Sequence, residues 1–385
     1  MIYISAVGMI SALGRDLRTS ASSLAHGNAP GMQIKTGWLS ADRACYLGCV
    51  EGDLPAIPAR LAAHNSRNNQ LLLAALAQIA PAVDEAIARV GRQRIAVILG
   101  TSTSGLDEGD RFISGARDGY HYEMQELGDP SRFLAAYLNV QGPAWTLSTA
   151  CSSSARAVIS GQRLIEAGLV DVALVGGADT LSRMPINGFD SLESLSSSRC
   201  QPFSAARDGI TIGEGAALML LTREPQPVAL AGVGESSDAW HMSAPHPQGE
   251  GAIRAVRMAL TQAGIAPEQV GYINLHGTAT PLNDEVEARV VQAIFGDRVP
   301  CSSTKHLTGH MLGAAGIGEA ALCWLLLTES LPLPWQDFTR SRYDETLAPF
   351  GLLQAPQPLT QPVIMSNSFA FGGNNVSLIF RGQDV

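Results

Sequence analysis

Apolar positions along the chain follow two rhythms that alternate from one end to the other. IAVILG (95–100) and VDVALVGGAD (170–179) are near-continuous apolar runs of strand length, the pattern of strands buried on both faces. Between them, SSSARAVISGQRLIEAG (152–168) has helical spacing and stops at a glycine, which predicts a helix. The alternation predicts an α/β protein. RDGITIGEGAALMLLT (207–222) and SNSFAFGGNNVSLIF (366–380) each read as strand, Gly-rich turn and strand. That likeness suggests two similar α/β halves, 1–225 and 226–385, joined near EPQP (224–227). No long linker or low-complexity tract separates them, so a shared, continuous core is expected.

Composition narrows the class. The 385 residues are 46% apolar and only 16% charged, with 39 glycines, a balance that suits a large buried interior and excludes disorder. A net charge of −9 argues against nucleic acid as the main partner, since a phosphate backbone calls for clustered Lys and Arg. Arg60, Arg67, Arg111, Arg117, Arg199 and Arg207 are scattered candidates for a local basic patch. The sequence reading finds no apolar stretch of spanning length and expects no membrane insertion. MIYISAVGMISALG (1–14) lacks a basic flank and reads as strand and turn rather than a signal peptide. Six irregularly spaced cysteines (45, 49, 151, 200, 301, 323) point to reduced thiols and a cytoplasmic setting. Cys45 and Cys49 lack a second ligand pair, so no zinc site is expected there.

Four segments carry candidate chemistry. In STACSSS (148–154), Cys151 stands where an extended stretch meets a helix; the helix N-terminus favours a thiolate and an adjacent oxyanion. Structural cysteines occupy such positions more often than nucleophiles do. In NLHGTATPLND (274–284), His276 closes an apparent strand, where functional groups gather in α/β sheets. SSTKHLTGHMLGAAGIGEA (302–320) places Lys305 and His310 around a turn and Glu319 on the helix that follows. Its GAAGIG has neither dinucleotide nor Walker spacing, and His306 with His310 lacks the carboxylate motif of a metal pair. In SNSFAFGGNN (366–375), Phe371 precedes Gly372 and Gly373, which suits a mobile gate or, equally, a plain tight turn.

Together, and in this order, TACSSS, HGTATPLND, SSTKHLTGHMLGAAG and NSFAFGGNN resemble the elongating β-ketoacyl-[acyl-carrier-protein] synthases of the thiolase superfamily. The likeness covers nearly the whole chain, including RDGITIGEGAA and SSDAWHMSAP. It implies a thiolase-like fold with a five-layered α-β-α-β-α core, and a decarboxylative Claisen condensation of an acyl group with malonyl-acyl carrier protein. Cys151 would hold the acyl group, with its own N–H and that of Phe371 as oxyanion hole. His276 and His310 would stabilise the enolate left by CO2, as neutral imidazoles of depressed pKa. Lys305 would orient or polarise near His310, paired with Glu319, while Asp284 supports the His276 loop. Phe371, Gly372 and Gly373 would gate the site together with the loop from Asp238 to Gln248, and Thr103 would sit at the acyl pocket. No cofactor or metal is implied; substrates ride on the phosphopantetheine of an acyl carrier protein. The partner would be a second copy or a chain-length-factor homologue.

The shortened form, HGTATPLND and CSSTKHLTGHMLGAAG look more like the synthases of bacterial aryl polyene clusters than housekeeping fatty-acid enzymes, which stay as the alternative. A weakly basic Arg60–Arg67 region departs from the family's usual docking surface. A noncatalytic chain-length factor would usually lack the cysteine, thiolases carry a different second-half motif, and a starter synthase would not carry His310 in TGH.

Overall fold

The computed structural model describes residues 1–383. Ten strands form one sheet: β1 (Ile2–Ser11), β2 (Ile95–Gly100), β3 (Ala144–Leu147), β4 (Val172–Asp179), β5 (Gly215–Thr222), β6 (Val228–Ser237), β7 (Tyr272–Asn274), β8 (Cys301–Ser302), β9 (Val363–Phe369) and β10 (Asn374–Gly382). Their order is β8-β7-β9-β10-β6-β1-β5-β4-β2-β3. Read outward from the centre, each side repeats one pattern. β1–β5 and β5–β4 are antiparallel, β4–β2 and β2–β3 parallel. β6–β10 and β10–β9 are antiparallel, β9–β7 and β7–β8 parallel. The two sides meet through a short antiparallel ladder, Ile2–Ile4 against Val228–Leu230.

The internal symmetry is therefore real but differs from the one the sequence suggests. The hairpin β9–β10 corresponds to β4–β5, not to two strands within 207–222. In the first half the connection between these strands is expanded to residues 180–214, so the turn that makes a visible hairpin in the second half is lost. Ile212–Gly213 instead joins a separate small sheet with Met32–Lys35 and Cys45–Gly48. Cys45 and Cys49 are packing residues of the apolar cluster around that sheet.

Six helices complete the layers: α1 (Arg67–Val90), α2 (Asp129–Leu138), α3 (Ser153–Glu166), α4 (Glu250–Ala263), α5 (Pro281–Phe295) and α6 (Ala315–Thr328). α3 and α6 lie between the two sides of the sheet, where Val158, Ile159 and Ile165 meet Leu322, Met219 and Leu378 in the central core. α1 and α2 cover the outer face of the first side, and α4 and α5 that of the second. The result is five layers, α-β-α-β-α. Among the described residues the interior divides into a central core to which both halves contribute, one core under each outer helical layer, and a smaller one at the small sheet.

One sequence reading needs correction. By length and composition α1 is apolar enough to cross a membrane. Its Leu71, Leu72, Leu76, Ile79 and Val83 are buried against the sheet. Gln78 bonds the backbone of Met9, and Asn68 and Asn69 are buried. A helix burying its apolar face in a large core satisfies the same length and hydropathy criteria as a spanning one.

Candidate active site

The site lies where the two central helices begin. Cys151 precedes α3, is 5% exposed, and follows Ala150, which is held at φ 51° in the left-handed region. Close packing brings the helix start to the strand ends: a Cβ on Gly100 would stand 2.3 Å from Ser153 backbone. His310 stands in the turn before α6, and its Nε2 is 3.1 Å from Cys151 Sγ. His276, two residues beyond β7, completes the group; its ring meets that of His310 edge-on at 5.5 Å between centroids. Sγ and the two imidazoles offer ligand atoms within 4.8 Å of one another, and all three residues are buried.

The hydrogen bonds fix what the imidazoles present. Leu312 N–H donates to His310 Nδ1 at 3.1 Å, so the neutral ring carries its proton on Nε2. Lys305 Nζ, a donor only, stands 3.5 Å from His276 Nδ1, which assigns the same tautomer there. Both Nε2–H groups are thus left for the gap beside Sγ. Three such atoms could in principle ligate a soft metal, but protonated Nε2 atoms beside an ammonium suit a developing oxyanion instead. Burial first, and the Lys305 charge next, hold both histidines well below the usual imidazole range; His310 adds to the effect on His276.

Cys151 differs from its expected state. Burial pushes its thiol up to about 11, against the pull of Lys305 and of the backbone N–H groups of Phe371 and Cys151 itself. Desolvation thus outweighs the groups that pull the thiol down, and favours the protonated sulfur. The backbone N–H groups of Phe371 and Cys151 both face the sulfur.

Lys305 is buried and bonds His276 rather than His310. Its Nζ donates to the His276 carbonyl and to Glu319 Oε1, each at 2.5 Å. Asp284 accepts from Ala279 N–H at 3.2 Å and from Phe203 N–H at 2.7 Å, so it does brace the loop after His276. Phe371 rests its ring on Phe189 at 5.5 Å. Gly372 and Gly373 take φ of 80° and 77°. They connect to the second loop: Gly372 N–H donates to Met242 carbonyl, and Asp238 N–H to Gly373 carbonyl, each at 2.8 Å. A cavity of about 290 Å³ opens onto Cys151, bounded by Phe189, Ile210, Thr278, Phe369 and Phe371.

With that geometry in view, the comparisons with known proteins are decisive. The N-terminal domain model of β-ketoacyl synthases matches residues 33–226, and the C-terminal domain model matches residues 228–338. The chain belongs to the β-ketoacyl synthase family. The 3-oxoacyl-[acyl-carrier-protein] synthase 2 of Synechocystis is 29% identical, over 99% of this chain and 97% of its own length. The enzyme of that name from Rhizobium meliloti is 35% identical over 63% of this chain and 61% of its own length. A ketosynthase from Xenorhabdus doucetiae, ApeO, solved in complex with its chain length factor, ApeC, is 67% identical with a TM-score of 0.98, covering 99% of this chain and 98% of that one. A β-ketoacyl synthase from Burkholderia phymatum follows the fold with a TM-score of 0.85 at 27% identity, over 100% of this chain and 99% of that one.

Within this β-ketoacyl synthase framework, Thr103 belongs to a separate hydrogen-bonded turn. It is absent from the wall of the cavity at Cys151, and its hydroxyl and N–H both bond Asp179, at 2.7 and 2.8 Å. Two residues escaped the sequence reading. Glu287 accepts the N–H groups of His276 and Gly277, each at 2.7 Å, and burial pushes its pKa up to about 8. An acid one helical turn beyond Asp284 was the available signal. Phe189, which supports Phe371, gave none. The six arginines considered for a basic patch are engaged within the chain: Arg67 with Glu214, Arg111 and Arg117 with Glu108, Arg199 with Asp337, Arg207 with Asp344, and Arg60 with the carbonyls of Ala136 and Tyr137.

Proposed function

We propose that this protein is a decarboxylating β-ketoacyl-[acyl-carrier-protein] synthase of an aryl polyene type of polyketide system. The observation that carries the reading is one buried thiol faced by two imidazole Nε2–H groups and two backbone N–H groups. In the first half-reaction, Cys151 sulfur attacks the carbonyl of a carrier-bound acyl thioester. The oxyanion forms against the N–H groups of Cys151 and Phe371. The carrier's phosphopantetheine leaves as its thiol, taking up the proton that Cys151 gives up.

In the second, a malonyl thioester places its thioester carbonyl at His276 and His310. Loss of CO2 leaves an enolate whose oxygen the two Nε2–H groups stabilise. Its carbon attacks the acyl group, a carbon–carbon bond forms, the bond to Cys151 sulfur breaks, and the sulfur takes up one proton from solvent. Lys305, held by Glu319, keeps His276 in its tautomer; Asp284 and Glu287 hold the turn. Phe371, Gly372, Gly373 and the loop from Asp238 act as the gate between the two substrates. The extent of likeness to ApeO favours the polyketide reading over housekeeping fatty-acid elongation. On the same ground we propose an acyl carrier protein as substrate carrier and a chain-length-factor homologue as partner. The chain reads as two halves, 1–225 with the cysteine and 226–385 with the histidines. A cytoplasmic setting suits its six free, buried thiols.

The test is mass spectrometry of the enzyme after incubation with acylated carrier proteins. One acyl group on Cys151 is expected, and Cys151→Ala should lose acylation by at least about a thousandfold while keeping its melting temperature. Full condensation by that variant would overturn the assignment.

A further inference from the structure

Asp179 is wholly buried at the end of β4 and gathers hydrogen bonds from two separate turns. From the turn after β2, its carboxylate accepts Thr101 Oγ1 at 2.7 Å, Ser102 N–H at 2.9 Å, and Thr103 N–H and Oγ1 at 2.8 and 2.7 Å. From the turn before α6, it accepts Ala314 N–H at 3.2 Å. That second turn carries Leu312, a non-glycine residue at φ 49°, whose N–H is the group seated on His310 Nδ1. A leucine stays in the left-handed region only where its surroundings impose it. The clearance between the turns is small: a Cβ on Gly313 would lie 2.7 Å from Ser102 N and 2.8 Å from Asp179 Oδ2.

We propose that Asp179 is a positioning residue for decarboxylation: it clamps the turn at 312–314 onto the turn at 101–103, keeping Leu312 N–H on His310 and the Nε2–H in the gap. The inference rests on the role proposed for His310. It also accounts for Thr103, whose hydroxyl serves this clamp. Asp179→Asn would set an amide against N–H and O–H donors and loosen the clamp without changing volume.

The experiment measures three quantities in the full-length protein with its carrier proteins. These are CO2 release from malonyl carrier protein, acylation of Cys151, and the tautomer of His310 by nitrogen NMR of isotope-labelled histidine. Asp179→Asn is expected to lower kcat for CO2 release by about ten- to a hundredfold, the scale of a misplaced catalytic group. KM for the malonyl carrier should stay within about twofold, acylation within about threefold, and the single Nε2–H tautomer of His310 should be lost. Unchanged CO2 release with an unchanged tautomer would overturn the proposal, as would equal losses in both half-reactions. If Asp179→Asn does not fold, Gly313→Ala, which drives the same turns apart, must give the same pattern for the proposal to stand. Should the tautomer shift while CO2 release is untouched, and His310→Ala also release CO2 normally, the clamp stands and the role of His310 fails.

Discussion

The two central helices begin at the same place and equip it in opposite ways. α3 delivers Cys151 with little support: a thiol in a dry pocket, raised to about 11, with two backbone N–H groups facing it. α6 delivers His310 from a turn tied to Asp179, with Leu312 N–H on its ring, and His276 joins it from a turn tied down by Lys305, Glu319, Asp284 and Glu287. The nucleophile is thus a single residue whose reactivity arises as substrate arrives. The hydrogen-bond donors are a network, built in advance so that no dipole need reorient in the reaction. Damage to the first should be local and total; damage to the second should be graded and confined to one half-reaction.

The sharpest way to break that contrast is to remove a donor. His276→Ala and His310→Ala are each expected to lower CO2 release from malonyl carrier protein by about 10²–10³-fold, the usual cost of one oxyanion donor. Acylation of Cys151 should change by no more than about threefold, which single-turnover mass spectrometry can follow. Parallel losses in the two half-reactions would mean that the imidazoles also serve the thiol, and the division between helices would fall.

A second test concerns the network itself. Lys305 and Glu319 are both buried, 1% and 2% exposed at the side chain, and paired. Lys305→Met leaves a carboxylate alone in the core and should cost about 3–5 kcal/mol in denaturant unfolding. Lys305→Met with Glu319→Leu removes both charges and should recover most of that stability without recovering CO2 release. A double variant no more stable than the single one would show that packing, not charge, sets the cost.

The contrast also explains what could be read from sequence. IAVILG and VDVALVGGAD are strands because near-continuous apolar runs have no other use in an α/β core, and they fold as Ile95–Gly100 and Val172–Asp179. Cys151, His276, His310 and Lys305 were each ambiguous alone and became legible only through the family resemblance that their motifs carry together; the structure brings all four to one place. Lys305 pairs with Glu319, but which histidine it reaches was not legible. His310 is nearer in sequence, but the path of the chain carries the ammonium to His276. Asp179 and Glu287 were hidden for a related reason: an acid at the end of a strand or on a helix looks like any other until the turns it binds are folded against it. The helix terminus beside Cys151 is visible in sequence, whereas the burial that opposes it is not.

The pH dependence separates the two helices most cleanly. Burial and the Lys305 charge lower both histidines, so lowering pH from 8 to 6 leaves them neutral. An imidazole titrating at its ordinary value of about 6.5 would lose roughly three quarters of its neutral form by pH 6. CO2 release by the enzyme should therefore vary by less than about twofold across that range, provided the carrier protein is unaffected. The thiol is shifted the other way, upward, so its thiolate fraction must rise about tenfold per pH unit from 7 until it approaches 11. Alkylation of Cys151 by iodoacetamide, followed by mass spectrometry, should climb with that slope. A plateau by pH 8 would mean that the helix terminus prevails over desolvation after all. A roughly fourfold fall in CO2 release between pH 8 and 6 would mean that the imidazoles are open to water, and the two helices would then differ less than their hydrogen bonds imply.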